Sequence, residues 1–325
     1  MAHVFATQRI PGRCFELITS RGHTLDVHPT DEILSTLRII ERLGPAEVLI
    51  CTLANEITAE VFESAPQLRM VANYAVGYNN IDMEAAARAG VAVTNTPGAL
   101  TEATADLTWA LLMAAARRVV EGDRICRAGD FHGWLPTLLL GREVHGASIG
   151  IIGAGRIGAA VARRAKGFSM RIFYWSRSPK PELELELGAV RMEPARIFET
   201  CDYVSLHLPL TPETHHLVDA DMFARARKGI VLVNTGRGAL VDEEALVRAL
   251  EDGVVAAAGL DVFEREPAIH PRLLEMDNVV LLPHIGSATR TAREKMGELV
   301  ALNVLSFLDG SRPPNILNPE VLRTS

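Results

Sequence analysis

The sequence has little cysteine, and its cysteines form no pattern typical of a disulfide framework or a metal site. Cys14, Cys51, Cys126 and Cys201 lie far apart, with no CxxC pair and no Cys/His ligand spacing. We therefore predict reduced, mostly buried thiols and no bound metal. The pair His215-His216 has no further ligand cluster near it, and we interpret it as structural because adjacent side chains are expected to point apart.

An excess of positive charge and a long apolar run are also absent. The 33 Lys and Arg residues are outnumbered by 40 Asp and Glu residues, which gives a net charge of −7 without a concentrated basic block. Nucleic acid is therefore not expected as a partner. No segment reaches the roughly 18 consecutive apolar residues that a membrane span needs, and the first residues carry no apolar core of signal-peptide length. We expect a cytoplasmic protein with no membrane partner.

Short apolar runs alternate with longer amphipathic segments, which is typical of an α/β fold with a parallel sheet. With 325 residues, 48% of them hydrophobic, the chain is long enough for two domains with separate cores. The first part of the chain predicts one small α/β lobe with a helix at 31–43. Its predicted strands lie at 4–7, 47–51, 70–73 and 91–95.

A second series of elements follows the turn-forming residues 95–98. Thr101 can cap a long helix that ends at position 118, and six predicted strands after it fit a doubly wound sheet. These strands lie at 148–152, 171–176, 202–206, 230–234, 254–260 and 279–282. A final helix at 288–308 returns the chain to the first lobe, and the tail after Pro313-Pro314 is predicted to be extended.

Two Rossmann-like lobes are therefore predicted. The dinucleotide-binding domain covers 99–288, and a smaller, discontinuous substrate lobe covers 1–98 and 289–325.

The strand at 148–152 leads directly into a glycine-rich turn and a helix. Gly153, Gly155 and Gly158 form the pattern G-x-G-x-x-G, and the residues behind it have helical periodicity. In such a turn the first glycine permits the tight bend, the second lets the backbone approach a pyrophosphate, and the third lets helix pack on strand. The helix N-terminus then faces the anion. The pattern predicts a dinucleotide site, with a glycine-rich turn that binds no nucleotide as the alternative.

The end of the next strand indicates which dinucleotide is bound. An acidic residue there would accept hydrogen bonds from the adenosine ribose and disfavour a 2′-phosphate. The chain instead has Ser176-Arg177-Ser178, with Ser176 18 residues after Gly158. Arg177 can make charge-assisted bonds to a phosphate. We predict NADP(H) as the preferred coenzyme and leave NAD(H) possible, because Arg177 could also be a solvated surface residue.

Three segments of the second lobe carry, in order, a resemblance to one known family. They are VNTGRG at 233–238, GLDVFEREP at 259–267 and LPHIGS at 282–287. Together with VGYNNID at 76–82 and the run 95–106, they resemble the D-isomer-specific 2-hydroxyacid dehydrogenases over nearly the whole chain. Within that family the likeness is greatest to the glyoxylate/hydroxypyruvate reductases. The resemblance implies two Rossmann-like lobes with the active site in their cleft, and a homodimer.

The resemblance assigns the chemistry to Arg237, Glu266 and His284. Hydride delivery to a keto carbon leaves an alkoxide that a positioned acid must protonate. His284 suits that acid if a carboxylate, here Glu266, keeps the imidazole protonated and oriented. Arg237 can clamp the substrate carboxylate and polarise the carbonyl. Each residue alone could be a loop residue, a turn former or a surface charge, but their order behind a dinucleotide motif favours catalysis.

The resemblance implies further contacts at matched positions. Val76 and Gly77 resemble the family's carboxylate cradle, where backbone N–H groups bind the anion, and Leu53 is expected to form an apolar wall of the pocket. Trp134 resembles a tryptophan that related reductases contribute to the active site of the other subunit, with dimer-interface packing as the alternative. Implied coenzyme contacts are Thr104, Arg156 and Ile157 near the phosphates, Leu208 and Pro209 near the adenosine, and Thr235 and Asp261 toward the nicotinamide.

Other members of the family remain as alternatives to different degrees. Formate dehydrogenases pair the histidine with an amide and phosphoglycerate enzymes commonly carry an acid at position 176, whereas D-lactate chemistry stays possible. A nucleotide-dependent corepressor would need a peptide groove in the first lobe, and the sequence indicates none. We expect NAD(P)H-dependent reduction of a small 2-keto acid, glyoxylate or hydroxypyruvate. The resemblance implies that side chains of both lobes shape the pocket, and the choice among the small 2-keto acids stays open.

Overall fold

The structure, a computed structural model that describes residues 1–323, has an α/β fold. The chain divides into two compact units: the first combines Met1–Leu100 with the chain from Ser287 onward, and the second is Thr101–Gly286. Each unit contains one sheet in which the strands pair in parallel. The predicted fold class, two Rossmann-like α/β lobes, is confirmed. Within residues 1–323 no helix has the length and apolar character needed to cross a membrane.

The sheet of the first unit has five strands in the order β2-β1-β3-β4-β5. The strands are β1 (His3–Ala6), β2 (Thr24–Val27), β3 (Val48–Thr52), β4 (Met70–Tyr74) and β5 (Ala92–Thr94). The helices of the first hundred residues are α1 (Cys14–Thr19), α2 (Thr36–Leu43), α3 (Ala59–Ser64) and α4 (Met83–Arg88). The inner strand β4 is buried along its whole length, as expected for a parallel strand covered on both faces.

Two features of the first unit differ from the sequence prediction. Strand β2 was not predicted, because it is a half-exposed edge strand without an apolar run. The helix predicted at 31–43 begins only at Thr36, since the extended residue Ser35 accepts a hydrogen bond from the backbone N–H of Arg38 and caps the helix there.

The sheet of the second unit has seven strands in the order β12-β11-β10-β9-β6-β7-β8. The strands are β6 (Ser148–Ile152), β7 (Arg171–Trp175), β8 (Val190–Arg191), β9 (Tyr203–Leu206), β10 (Ile230–Asn234), β11 (Val255–Leu260) and β12 (Val279–Leu281). Six of them overlap the predicted strands. The seventh, β8, is a short exposed edge strand that no apolar run could reveal. Adjacent β6 and β9 form the topological switch point, where α/β sheets bind ligands at the carboxyl ends of the strands.

Eight α-helices accompany this sheet in the described chain. They are α5 (Thr101–Arg117), α6 (Val119–Ala128), α7 (Arg156–Gly167), α8 (Pro181–Leu187), α9 (Pro194–Thr200), α10 (Ala220–Arg225), α11 (Glu243–Glu251) and α12 (Pro271–Glu275). The helix predicted to end at position 118 ends at Arg117, because Arg118 adopts a left-handed φ of 53° and is the N-cap of the next helix, α6. Helix α5 packs on α7, where Trp109 stacks on Phe168 with ring centroids 4.6 Å apart.

The first unit is completed by α13 (Arg290–Leu308), whose N-cap is Thr289, close to the start predicted at about position 288. The hydroxyl of Tyr74 donates to the carbonyl of Arg293 at 2.7 Å and ties α13 to β4. The tail was predicted to be extended, and this is wrong for Pro319–Arg323, which forms a 3₁₀ turn. A proline is compatible with the first position of such a turn because its φ is already helical.

Candidate active site

The glycine-rich turn lies at the switch point, directly after β6. Gly153 has a φ of 102°, and a Cβ there would lie 2.7 Å from the backbone of His207 on the neighbouring strand end. A Cβ on Gly158 would lie 2.2 Å from the carbonyl oxygen of Gly153, so helix and strand could not approach as they do. A Cβ on Gly155 would meet nothing within 4 Å, which leaves this stretch of backbone open to a ligand.

The N-terminus of α7 continues this open surface. Its N-cap is Gly155, and no side chain caps it, so its first N–H groups remain available to an anion. Arg156 is exposed and Ile157 is half-buried at the start of the helix. On the next loop, Leu208 is half-buried and Pro209 is exposed. These are the positions that the sequence predicts to contact the phosphates and the adenosine of a dinucleotide.

The segment Ser176-Arg177-Ser178 follows β7. The hydroxyl of Ser176 donates to the carbonyl of Ser178 at 2.6 Å and closes a tight turn, while Arg177 is exposed. The sequence did not point to Arg191 on β8, whose Nη2 donates to the carbonyl of Ser176 at 3.0 Å and to that of Arg177 at 3.4 Å. Arg191 therefore fixes the backbone of the turn and brings a second cation to it.

His284 and Glu266 form a hydrogen-bonded pair at the carboxyl edge of the sheet. Oε2 of Glu266 lies 2.8 Å from Nδ1 of His284, and Oε1 accepts the backbone N–H of Phe263 at 3.0 Å. Their side chains are 24% and 32% exposed, so neither is sealed in the interior of the unit. Because Nδ1 faces the carboxylate, the other ring nitrogen, Nε2, is left to act on a ligand.

The electrostatics of the pair keep Glu266 ionised. Burial acts to raise the pKa of Glu266, but the hydrogen bond and charge of His284, the Phe263 N–H and the charge of Arg237 together hold this pKa below its ordinary value. Burial lowers the pKa of Arg237, and the charge of Glu266 acts in the opposite direction. The three side chains thus form one charge-coupled group.

Arg237 lies on the loop after β10, in extended backbone conformation, and its Nη1 donates to the carbonyl of Gly236 at 2.8 Å. The following residue, Gly238, lies directly against the loop after β11. A Cβ on Gly238 would lie 1.8 Å from the carbonyl carbon of Phe263 and 2.4 Å from the nitrogen of Glu264. The bare backbone at Gly238 therefore lets the Arg237 loop lie close to the segment that carries Glu266.

Asp261 binds three successive N–H groups of the loop that carries His284. Its backbone carbonyl accepts the N–H of His284 at 2.9 Å, and its Oδ1 and Oδ2 accept the N–H groups of Ile285 and Gly286, each at 2.7 Å. His284 has a φ of 53°, a left-handed conformation that costs a non-glycine residue about 1 kcal/mol. Asp261, which is 1% exposed, thus fixes the backbone from which His284 projects.

A series of hydrogen-bonded hydroxyl groups connects this loop to α5 and to the loop after β10. Thr104 donates to the carbonyl of Gly286 at 3.1 Å, and the hydroxyl of Thr108 donates to the carbonyl of Thr104 at 2.8 Å. Thr108 is also hydrogen-bonded to Thr235 at 2.9 Å, and both are buried. The series therefore links the predicted coenzyme contacts Thr104, Thr235 and Asp261 through Thr108, a residue that the sequence did not indicate.

His207 lies at the end of β9, next to the glycine turn. Its Nε2 is 2.8 Å from the hydroxyl of Ser205, and burial lowers its pKa to about 3. The imidazole is therefore neutral at physiological pH and adds no charge beside the glycine turn. Its place directly after a strand next to the switch point was the signal that sequence reasoning missed.

The other predicted site residues lie on loops, three of them in the first unit and one in the second. Val76 and Gly77 are half-buried, and Leu53 is at the surface, all in the first unit. Trp134 belongs to the second unit, on the loop after α6, and is 83% exposed in the single chain.

The pair His215-His216 differs from its prediction. The two rings do not point apart but stack with centroids 4.0 Å apart, because His216 adopts a φ of 50°. Nε2 of His216 lies 3.3 Å from a carboxylate oxygen of Glu264. In the part of the chain that the structure describes, no group of three or more His, Cys, Asp or Glu residues is placed to hold a metal ion.

The chain is similar to one family of known proteins. The family model for the D-isomer specific 2-hydroxyacid dehydrogenase, NAD binding domain, matches residues 109–286. The chain is 48% identical over 324 residues to a glyoxylate reductase from Thermococcus onnurineus, and the match covers 98% of this chain and 96% of that protein.

Two solved structures show the same similarity. The TT0316 protein from Thermus thermophilus superposes with a TM-score of 0.91 at 45% identity, with 97% of this chain and 99% of that chain covered. An NADPH-dependent glyoxylate/hydroxypyruvate reductase from Sinorhizobium meliloti, in complex with NADP and malonate, gives a TM-score of 0.87 at 31% identity, with 98% of this chain and 97% of that chain covered.

Proposed function

The chain belongs to the D-isomer-specific 2-hydroxyacid dehydrogenase family, and from this premise we propose that Arg237, Glu266 and His284 are its catalytic residues. It is an oxidoreductase that uses a nicotinamide dinucleotide to reduce a glyoxylate-type keto acid. The observation that carries the residue assignment is the 2.8 Å contact between Glu266 and His284, coupled in charge to Arg237.

The residues at the switch point fit a dinucleotide, because the backbone at Gly155 is open and the start of α7 has no side-chain cap. When bound, the reduced coenzyme supplies a hydride to the keto carbon. We assign the pyrophosphate to the glycine turn and the start of α7, and the adenosine to the loop after β9. The full set is Thr104, Gly153, Gly155, Arg156, Ile157, Gly158, Ser176, Arg177, Ser178, Leu208, Pro209, Thr235 and Asp261.

Each catalytic side chain has one task. Arg237 binds the substrate carboxylate and polarises the keto oxygen, on which negative charge develops. His284 donates the proton on Nε2 to that oxygen, since Nδ1 is occupied by Glu266. Glu266, ionised because its pKa is below the ordinary value, stabilises the imidazolium and fixes the plane of the ring. In the oxidative direction the same pair removes the proton.

We propose NADP(H) as the preferred coenzyme, with NAD(H) accepted less well. Exposed Arg177 and the Ser176-Ser178 turn, braced by Arg191, offer cationic and hydroxyl groups and no carboxylate at the ribose position. The preference is also supported by the Sinorhizobium meliloti relative, which is NADPH-dependent.

We further propose that the chain has a substrate lobe at 1–98 and 289–325 and a dinucleotide domain at 99–288. We also propose that it forms a homodimer. The dimer is supported by an apolar loop that is unusually exposed in the single chain. Its exposed side chains are Phe131 (58%), Trp134 (83%), Leu135 (60%), Leu138 (41%) and Leu140 (67%). Leu53, Val76 and Gly77 would bind the substrate from the first lobe, and Trp134 would contact it from the other subunit. The cytoplasmic location and the lack of a nucleic-acid partner remain predictions from the sequence.

Steady-state kinetics test this function. Glyoxylate, hydroxypyruvate and pyruvate are each reduced with NADPH and with NADH, and kcat/KM is compared across the six pairs. We expect glyoxylate or hydroxypyruvate with NADPH to give the highest value. A higher kcat/KM for pyruvate would point to D-lactate chemistry, and no oxidation of either coenzyme would refute the enzymatic proposal.

A further inference from the structure

In the loop after β4, backbone carbonyls are held by buried asparagine amides. The carbonyl of Val76 accepts from Nδ2 of Asn95 at 2.8 Å, and the carbonyl of Gly77 accepts from Nδ2 of Asn73 at 3.0 Å. Asn73 is fully buried and Asn95 is 7% exposed. The loop thus receives hydrogen bonds at its carbonyl oxygens from the interior of its own unit.

This arrangement determines where the N–H groups of the loop point. The carbonyl of Ala75 is also held, by the backbone N–H of Thr96 at 2.9 Å. In a trans peptide the carbonyl and the next N–H point in opposite directions, so the N–H groups of Val76, Gly77 and Tyr78 face away from these donors. Within residues 1–323 none of the three donates a hydrogen bond to the protein. The loop therefore offers three unsatisfied donors.

The same amide network reaches the loop that carries Leu53. Nδ2 of Asn80 donates to the carbonyls of Thr52 and Asn55, at 3.2 and 3.0 Å, and its Oδ1 lies 3.4 Å from Nδ2 of Asn73. With the carbonyl of Thr52 held in this way, the N–H of Leu53 faces away from Asn80. Both first-unit loops that the substrate is expected to meet are thus oriented by one set of asparagines.

We propose that Asn73, Asn80 and Asn95 are positioning residues for the substrate carboxylate, acting through the backbone N–H groups of residues 53 and 76–78. An amide suits this task because it donates hydrogen bonds but carries no charge. A buried cation in its place would need a charged partner of its own and could bind the substrate anion itself. The inference rests on the proposed function, since the anion is the carboxylate of the keto acid.

The test is Asn95→Ala, which removes the hydrogen bond from the Asn95 side-chain amide to the carbonyl of Val76. Asn73→Ser is a second variant. We expect the KM for glyoxylate to rise by about 10-fold, with kcat and the KM for NADPH changed by less than about 2-fold, because the lost interaction binds substrate and transition state alike. Oxamate, an unreactive analogue with the same carboxylate, should bind the NADPH complex about 10-fold more weakly by calorimetry.

The matched control is Asn318→Ala. Asn318 is a buried asparagine of the same unit, 3% exposed, that holds the carbonyl of Val91 and the N–H of Val93, each at 2.8 Å. It should lower the melting temperature without changing the KM for glyoxylate. An unchanged KM and unchanged oxamate affinity in a folded Asn95 or Asn73 variant would overturn the inference, as would an equal rise in the control.

The two proposals can fail separately. If the wild-type protein reduced no keto acid but bound oxamate in a way that depends on the asparagines, the proposed function would be refuted and the proposed positioning role of the asparagines would stand. If the wild-type protein reduced keto acids and the asparagine variants had the same KM, only the positioning role would be refuted. A wild-type protein that neither reduced a keto acid nor bound oxamate would refute both proposals.

Discussion

Replacing Asp261 by Asn should slow catalysis as well as lower the free energy of unfolding. The carboxylate accepts two backbone N–H groups at 2.7 Å, from Ile285 and Gly286, and the new amide can accept only one of them. A hydrogen bond to a charged group contributes about 1.5–3 kcal/mol. Burial raises the pKa of Asp261, which means that burial disfavours its charged form. Removal of the buried charge therefore offsets part of the free energy lost with the hydrogen bond. We expect a net loss of about 1–2 kcal/mol in the free energy of unfolding.

The catalytic effect follows from the position of His284. Its left-handed backbone is held by Asp261, and a shift of about 1 Å in a catalytic group can reduce the rate by about 100-fold. We expect kcat for glyoxylate at saturating NADPH to fall by at least about 10-fold. Thermal unfolding should show a melting temperature lower by about 2–4 °C for each kcal/mol lost, as for a domain of this size.

The matched control is Asp242→Asn in the same unit. Asp242 caps α11 by accepting the N–H of Ala245 at 3.1 Å, and Asn caps helices equally well, so kcat and melting temperature should hardly change. If Asp261→Asn lowered the melting temperature but left kcat within about 2-fold of wild type, the proposed link between Asp261 and His284 would be refuted.

Three further predictions concern other parts of the site and the chain. His284→Ala should reduce the rate by about 100-fold or more while coenzyme binding, measured by fluorescence titration, stays intact; unchanged turnover would exclude His284 as the proton donor. Arg177→Ala should raise the KM for NADPH by about 10-fold and that for NADH by less than about 2-fold, and equal effects on both would contradict the 2′-phosphate assignment. At pH 8 a thiol reagent should modify only exposed Cys126 in the native chain, because burial raises the pKa of Cys14, Cys51 and Cys201 to about 12. Rapid modification of a second thiol would show that the cores open readily.

The sequence predicted what is encoded in short segments. The glycine turn, the α/β alternation and the strands buried on both faces could be recognised, because the residues that determine each lie within a few positions of one another. Strands β2 and β8 could not, since β2 is half-exposed, β8 is exposed, and neither has an apolar run. The break at Arg118 was also missed, because a left-handed residue other than glycine leaves no clear sequence signal.

The supporting network of the site was missed for a different reason. Thr108 and Thr235 are 127 positions apart in the chain, and Arg191 meets the turn after β7 only through the pairing of an edge strand. A hydroxyl or a guanidinium in a helix or strand is ordinary by itself. Its role depends on which distant carbonyl or hydroxyl it meets, and that is determined only once the chain has folded.

Gly238 has a consequence for redesign of the substrate range. Attempts to enlarge or reshape the pocket would naturally randomise the residues around Arg237, and position 238 would be among the first chosen. Even a methyl group there would occupy the space of the backbone at Phe263 and would displace the loop that leads to Glu266. Variant libraries should therefore keep glycine at 238 and place diversity at the proposed substrate contacts of the first lobe, such as Leu53, where a new side chain would leave the backbone of the acid-base pair in place.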